Sequence, residues 1–251
     1  VSPSRRHVCY PLAEDPELAE AIDREHRASA VASLAARELS IPAGDWAGNP
    51  VPVQNGIGLL VLEGVLVHRI GIDERYGAEL LGEGDVLRAV GSEQESSPLA
   101  LSVSWLVLEP TRLAVLDERF VRQLAAFPSL SGLLFARAVL RTRQLAVNMA
   151  IVHQARVDVR LHMLLWHLAG RWGRVRADGV VVPLRLTHAI LADLVAARRP
   201  TVSSAMSELA RAGVVHPVTE GWLLIGEPPG RAPLSDEAAA LPGATATADV
   251  G

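Results

Sequence analysis

The 251-residue chain has one cysteine, Cys9, no lysine, and aromatic residues at only 4%. A lone cysteine excludes an intramolecular disulfide, so a reducing cytoplasm is the expected compartment. No apolar run approaches the roughly 20 residues needed to span a bilayer. The first residues also lack the apolar core of a signal peptide. Catalytic signatures are missing as well: there is no Gly-x-Ser-x-Gly elbow and no phosphate loop. His153, His162 and His167 are the densest histidines, but spacings of nine and five put no two imidazoles on one helical face. The expectation is a non-enzyme without metal or cofactor and without a membrane partner.

What is present is 49% hydrophobic and 21% charged, the balance of a folded chain long enough for two moderate domains. The net charge of -4 hides an asymmetry. Residues 137–227 carry twelve arginines against six acids, while the first 130 residues are rich in acids. A basic C-terminal half is what contacts with phosphates require.

The stretch from Pro183 to Gly226 organises the rest. Ile190, Leu191, Leu194 and Val195 have the spacing of one buried helical face, with Thr187 as N-cap. After Arg198 and Arg199 a second helix opens at Pro200, whose missing N–H costs little in a first turn. Its inward face is Val202, Ala205, Met206, Leu209 and Ala210; its outward face carries Thr201, Ser203, Ser204 and Ser207. Gly213 ends it. Val214–His216, a Pro217–Gly221 turn and Trp222–Ile225 predict a two-stranded wing. Such a helix can enter a major groove with guanidinium groups available to guanine or phosphate. Arg198, Arg199, Thr201, Ser203 and Ser204 are the expected contacts to double-stranded DNA.

Arg160 to Ala169, the hairpin that follows, Leu186–Val195 and Arg199–Ser204 together resemble the C-terminal domain of the Crp/Fnr transcription regulators. The resemblance extends upstream over most of the chain. It implies an α+β architecture: an N-terminal β-roll of the cyclic-nucleotide-binding, jelly-roll type, a long dimerisation helix and a C-terminal winged helix-turn-helix. The family usually reads its operator with Arg, Glu and a second Arg. Here the first corresponds to Arg199, while Pro200 and Ser204 replace the others, so the family's best-known operator is not expected. The single cysteine excludes the four-cysteine iron–sulfur site of one branch of that family.

In chain order, residues 1–10 read as a loose leader, and Asp15 to Leu39 as a mostly amphipathic helical segment ended by Pro42, Gly44 and Asn49. From Val51 to Leu116 the pattern changes to short apolar runs punctuated by glycine. Leu59–Leu62, Gly64–Arg69, Tyr76–Leu81 and Leu99–Leu108 are strand candidates. Leu60–Val67 followed by Leu81–Asp85 resembles the β-roll. Cyclic-nucleotide binders of the family carry a Gly-Glu pair and an Arg-Ser or Arg-Thr pair there. This sequence has Val86–Val90 and Glu95–Pro98 instead, with Glu93 and Glu95 where an arginine would be welcome. Arg88 is the one obvious cation and the candidate ligand residue; cyclic AMP binding is not expected.

Asp117 to Arg156 turns helical. Leu133, Leu140 and Val147 recur at seven, with Ala136 and Ala150 between, a seam suited to a partner helix. The family resemblance makes that partner a second copy. The expected division is therefore a helical segment at 1–45, the roll at 46–116, the dimerisation helix and hinge at 117–156, the reader at 157–226, and a disordered tail at 227–251 rich in Pro, Ala and Gly. Three readings follow: an effector-controlled homodimeric regulator on a palindromic operator, a constitutive activator with a degenerate roll, or an interaction module that no longer reads DNA. Activation would add RNA polymerase as a partner, and composition reveals no patch for it.

Overall fold

The computed structural model describes residues 7–47, 53, 55–73, 75–88 and 98–230. A short strand β1 (Val8–Cys9) leads into three helices, α1 (Pro11–Glu14), α2 (Pro16–Glu20) and α3 (Arg24–Ser33). Strands β2 (Ala36–Ile41), β3 (Gly44–Trp46), β4 (Gly58–Glu63), β5 (Leu66–Ile72), β6 (Arg75–Leu81), β7 (Val86–Leu87), β8 (Ser102–Val107) and β9 (Thr111–Leu116) build the roll. They form two antiparallel sheets, ordered β1-β2-β9-β4-β7 and β3-β8-β5-β6.

The helical reading of Asp15–Leu39 is corrected at its end, because Ala36–Ile41 form a strand, paired with β9 over Arg37–Ile41, and not a last helical turn. Ala36 and Ile41 are buried while Arg37 and Ser40 are exposed, so sheet pairing overrides a stretch whose composition suits a helix. Val8 and Cys9 pair with Arg37 and Ala36, so the expected leader contributes a strand. Its first six residues lie outside the described ones.

The roll is buried on both sides. In β4, Leu59 and Val61 point between the sheets toward Leu66, Leu81, Trp105, Val107, Leu113 and Val115. Leu60 and Leu62 point the other way, into a second core with Leu18, Ile22, Leu34, Phe120, Leu124 and Leu130. A strand buried on both faces reads as a continuous apolar run, which is why Leu-Leu-Val-Leu stood out without alternation.

Helix α4 (Glu118–Leu124) is capped by Asp117. Helix α5 (Pro128–Val152) then runs for 25 residues. It is followed by α6 (Val157–Trp172), the hairpin β10 (Arg174–Arg176) and β11 (Gly179–Val182), α7 (His188–Leu194), α8 (Arg199–Arg211), and β12 (Val215–Val218) with β13 (Gly221–Leu224). The last four strands form one sheet, β10-β11-β13-β12. Its third core unites Leu161, Leu164, Leu165 and Leu168 of α6 with α7 and α8, and continues into Val65, Val67 and Leu80 of the roll. The C-terminal unit thus covers one outer face of the roll and the N-terminal helices cover the other. Among the described residues no helix is long and apolar enough to cross a membrane.

Candidate nucleic-acid interface

Helices α7 and α8 are held by local chemistry that the sequence announces. Thr187 caps α7, its hydroxyl accepting from the Ile190 N–H at 3.3 Å. Pro200 lies in the first turn of α8, and Arg198 is the extended N-cap residue with φ -83°. Val202, Ala205, Met206 and Leu209 are buried, as the spacing predicts, and Ala210 is half-buried. The turn between the helices contains Ala196 at φ +51°, a left-handed conformation usually given to glycine.

Sequence reasoning missed Arg160, which secures this turn from α6. Its guanidinium donates to the carbonyls of Val195 at 3.2 Å and Ala196 at 3.4 Å, and to Gln154 at 2.5 Å. It meets the open carbonyls at the end of α7, where a cation is favoured by the helix dipole. The only sequence signal was its place opening the family-like Arg160–Ala169 stretch.

Of the five predicted contact residues, four are presented outward. Arg198, Arg199, Thr201 and Ser204 are exposed. Neither arginine enters an ion pair among the described residues. The Ser204 hydroxyl only bonds back to the Pro200 carbonyl at 3.3 Å. Ser203 is placed differently. It is half-buried, donates to the Arg199 carbonyl at 3.1 Å, and lies 2.9 Å from Nδ1 of His188 at the start of α7. Because its proton goes to Arg199, Ser203 accepts from His188, which fixes the Nδ1–H tautomer. The His188 ring in turn stacks on Trp222 of β13, with centroids 6.1 Å apart. His188 therefore joins α7, α8 and the wing, and Ser203 belongs to that junction instead of the outer face.

The wing is tighter than its sequence reading. Pro217 pairs with Trp222 inside the ladder, leaving Thr219 and Glu220 as the turn. A proline fits there because β12 is the edge strand of its sheet and needs no donor on its outer side.

In the roll, Arg88 is exposed and donates to the carbonyls of Gly56 at 3.0 Å and Ile57 at 3.4 Å, a tether for the strand entering β4. Residues 89–97, including Glu93 and Glu95, lie outside the described ones. The turn after β6 serves the reader. Asp85 accepts from the Gly82 N–H at 2.8 Å and from Arg171 of α6 at 2.7 Å. Gly82 lets the Trp172 ring come close, since a Cβ would meet it at 3.1 Å and the ring would have to give way slightly. On the neighbouring hairpin, buried His68 stacks on Trp105 at 4.1 Å and bonds Glu79 at 2.9 Å, and Arg141 of α5 binds the same carboxylate. Burial pushes the Glu79 carboxyl up, but the hydrogen bonds from His68 and Arg141 outweigh it and hold the group below its ordinary range.

On α5 the five residues of the expected seam are placed in two ways. Leu133 is half-buried against the second core, beside Leu130 and Leu134. Ala136, Leu140, Val147 and Ala150 are exposed, but they flank a different stripe. Phe135, Val139, Thr142, Ala146 and Met149, spaced four and three alternately, face directly outward, with Phe135 71% and Met149 62% exposed. The predicted residues sit roughly a third of a turn round the helix from it. Leu130, Leu133 and Leu134 in the first two turns pack into the chain's own core.

Two of the three histidines considered for a metal are engaged locally: His153 Nδ1 lies 2.6 Å from the Met149 carbonyl, and His162 accepts from Trp166 at 3.0 Å. Burial holds His167 below its ordinary pKa. Among the described residues no group of three metal-binding side chains converges.

Residues 159–229 match the model of the Crp-like helix-turn-helix domain. Similar solved structures include the cyclic nucleotide-binding domain containing protein from Listeria monocytogenes EGD-e, at 14% identity and TM-score 0.60, covering 74% of this chain and 87% of that one. A CooA mutant from Carboxydothermus hydrogenoformans is 17% identical at TM-score 0.59, covering 76% and 83%. FixK2 from Bradyrhizobium japonicum is 17% identical at TM-score 0.56, covering 76% and 93%. No curated protein matches the sequence. At these identities the likeness to solved structures is one of fold.

Proposed function

We propose that this chain, of the Crp/Fnr type in its fold and in its helix-turn-helix domain, is a sequence-specific DNA-binding transcription regulator. It acts in the cytoplasm as a homodimer on a two-fold symmetric operator, with RNA polymerase as a further partner where it activates. The observation that carries the reading is the outer face of α8, where Arg198 and Arg199 enter no ion pair among the described residues and stand beside Thr201 and Ser204. Phosphate contacts would position the protein, and Arg199 with its neighbours would discriminate bases.

Dimerisation supplies the symmetry. The outward stripe of α5 has heptad spacing, and two antiparallel readers related by a two-fold axis address half-sites one helical turn apart. The effector is not cyclic AMP, because the pairs that hold ribose and cyclic phosphate are absent and Arg88 is spent on backbone carbonyls. Calorimetric titration with cyclic mononucleotides should give no micromolar binding.

Selection from a random duplex pool by the purified chain tests the main reading. Enrichment of a palindrome, with affinity falling steeply as salt rises, is the expected result. Arg199→Ala should then lose about 1–3 kcal/mol of discrimination at one base position of each half-site. Weak, sequence-independent binding in all conditions would overturn it.

A further inference from the structure

Helix α8 buries one side, through Val202, Ala205, Met206 and Leu209. With 3.6 residues per turn, the line opposite them runs through Pro200, Ser204, Ser207 and Arg211, spaced four, three and four, and all four are exposed. Arg199 and Thr201 flank that line at its N-terminal end. Recognition helices bring their N-terminal residues to base edges, so the chemistry at the head of this line decides which bases it accepts.

Pro200 presents a saturated ring and, having no backbone N–H, no donor. The serines behind it have already used their protons. The Ser204 hydroxyl donates to the Pro200 carbonyl at 3.3 Å, and the Ser207 hydroxyl to the Ser203 carbonyl at 2.9 Å. Each exposed serine oxygen is left as an acceptor. The front of the helix therefore sets an apolar ring one turn, about 5–6 Å between Cβ atoms, from an acceptor. Glu208 is the one acid in α8 and lies two turns beyond Pro200.

In the major groove adenine N6 and cytosine N4 are the amino donors, and thymine alone presents a methyl group. A serine acceptor serves adenine and cytosine alike. The ring separates them. Against the thymine methyl it buries apolar surface, whereas over the edge of a C·G pair it would cover polar groups and give them no partner.

We propose that Pro200 and Ser204 are specificity-determining residues that select A·T pairs beside the guanine read by Arg199 in each half-site. The Pro200 ring packs on a thymine methyl, and Ser204 Oγ accepts from an adenine amino group. This inference rests on the DNA-reading role proposed above and adds the base preferences which that role leaves open.

Random-pool selection with the unaltered chain should enrich half-sites in which A·T pairs adjoin that guanine. In the enriched duplex each thymine is then exchanged in turn, in both half-sites together, for uracil, which lacks only the methyl group. Exchange at one position should weaken binding about tenfold, the effect of two lost methyl contacts. Pro200→Glu, whose carboxylate suits the first turn of a helix and accepts from cytosine N4, should enrich C·G at that same position. Ser204→Ala should lose the distinction between adenine and purine, which lacks the amino group, at a neighbouring pair. The uracil series needs no variant and stands whatever the substitutions do to folding. A uracil series flat at every thymine, or a Pro200→Glu chain that enriches the unaltered site, would overturn the proposal, while a palindrome enriched by the unaltered chain would keep the DNA reading. If no palindrome is enriched, both fall together.

Discussion

Ala196 is a single residue on which the geometry of the reader turns. Its φ of +51° costs a β-carbon-bearing residue about 1–2 kcal/mol, part of which glycine would return to the unfolded chain as entropy. Ala196→Gly should stabilise the protein by about 0.5–1 kcal/mol, read as a small rise in thermal midpoint. The serines of α8 should separate by role. Ser203→Ala removes the acceptor of His188 and should cost about 1 kcal/mol of stability while weakening all duplexes alike. Ser204→Ala should leave stability unchanged and alter base preference. The sequence could not distinguish them, because both occupy outward helical positions and the difference comes from a histidine fifteen residues earlier. Titration offers a third test. Burial lowers the pKa of His162 and His167 below the ordinary 6.5. Depressed folded values mean that the unfolded chain takes up protons first, so stability present above pH 6.5 is lost as pH falls toward the folded values. The double variant His162→Gln with His167→Gln should show a flatter fall in midpoint from about pH 7 to about pH 5.

At the scale of elements, α5 shows how far periodicity reaches. A heptad recurrence was legible, and it gave a helix with a seam. That Leu133 turns inward was not, because apolar residues ring the helix and its partial burial beside Leu130 and Leu134 depends on a core built by distant elements. Phe135→Glu with Val139→Glu should convert the proposed dimer to a monomer in sedimentation while leaving the helical content intact. Leu133→Ala should instead lower stability by about 1–2 kcal/mol, less than for a fully buried leucine, without changing assembly. The strands tell a similar story. Runs such as Leu59–Leu62 were readable from composition, whereas β2 was hidden in a helix-like sequence and exists because β9 pairs with it over Arg37–Ile41. The reader was the most legible part, since its caps, proline and apolar spacing are all local. Arg160 and His188 were not, because their partners lie across the fold.

At the scale of the whole molecule, the reader and the roll are tied by Arg69 with Asp193 and by Arg171 with Asp85. A double-mutant cycle on Arg69 and Asp193 should give a coupling of no more than about 1 kcal/mol, the usual size for a partly exposed pair. The hydrophobic part of the junction matters more, since Val65, Val67 and Leu80 sit in the same core as the four leucines of α6. The unit that looks modular in sequence is thus not self-contained in three dimensions. A fragment beginning at Val157 would bare a sticky flank that the roll normally shields, and such a fragment should self-associate on purification. The same continuity makes the reader a poor graft: transplanted onto a foreign sensor it would need a host surface shaped like this roll's outer sheet.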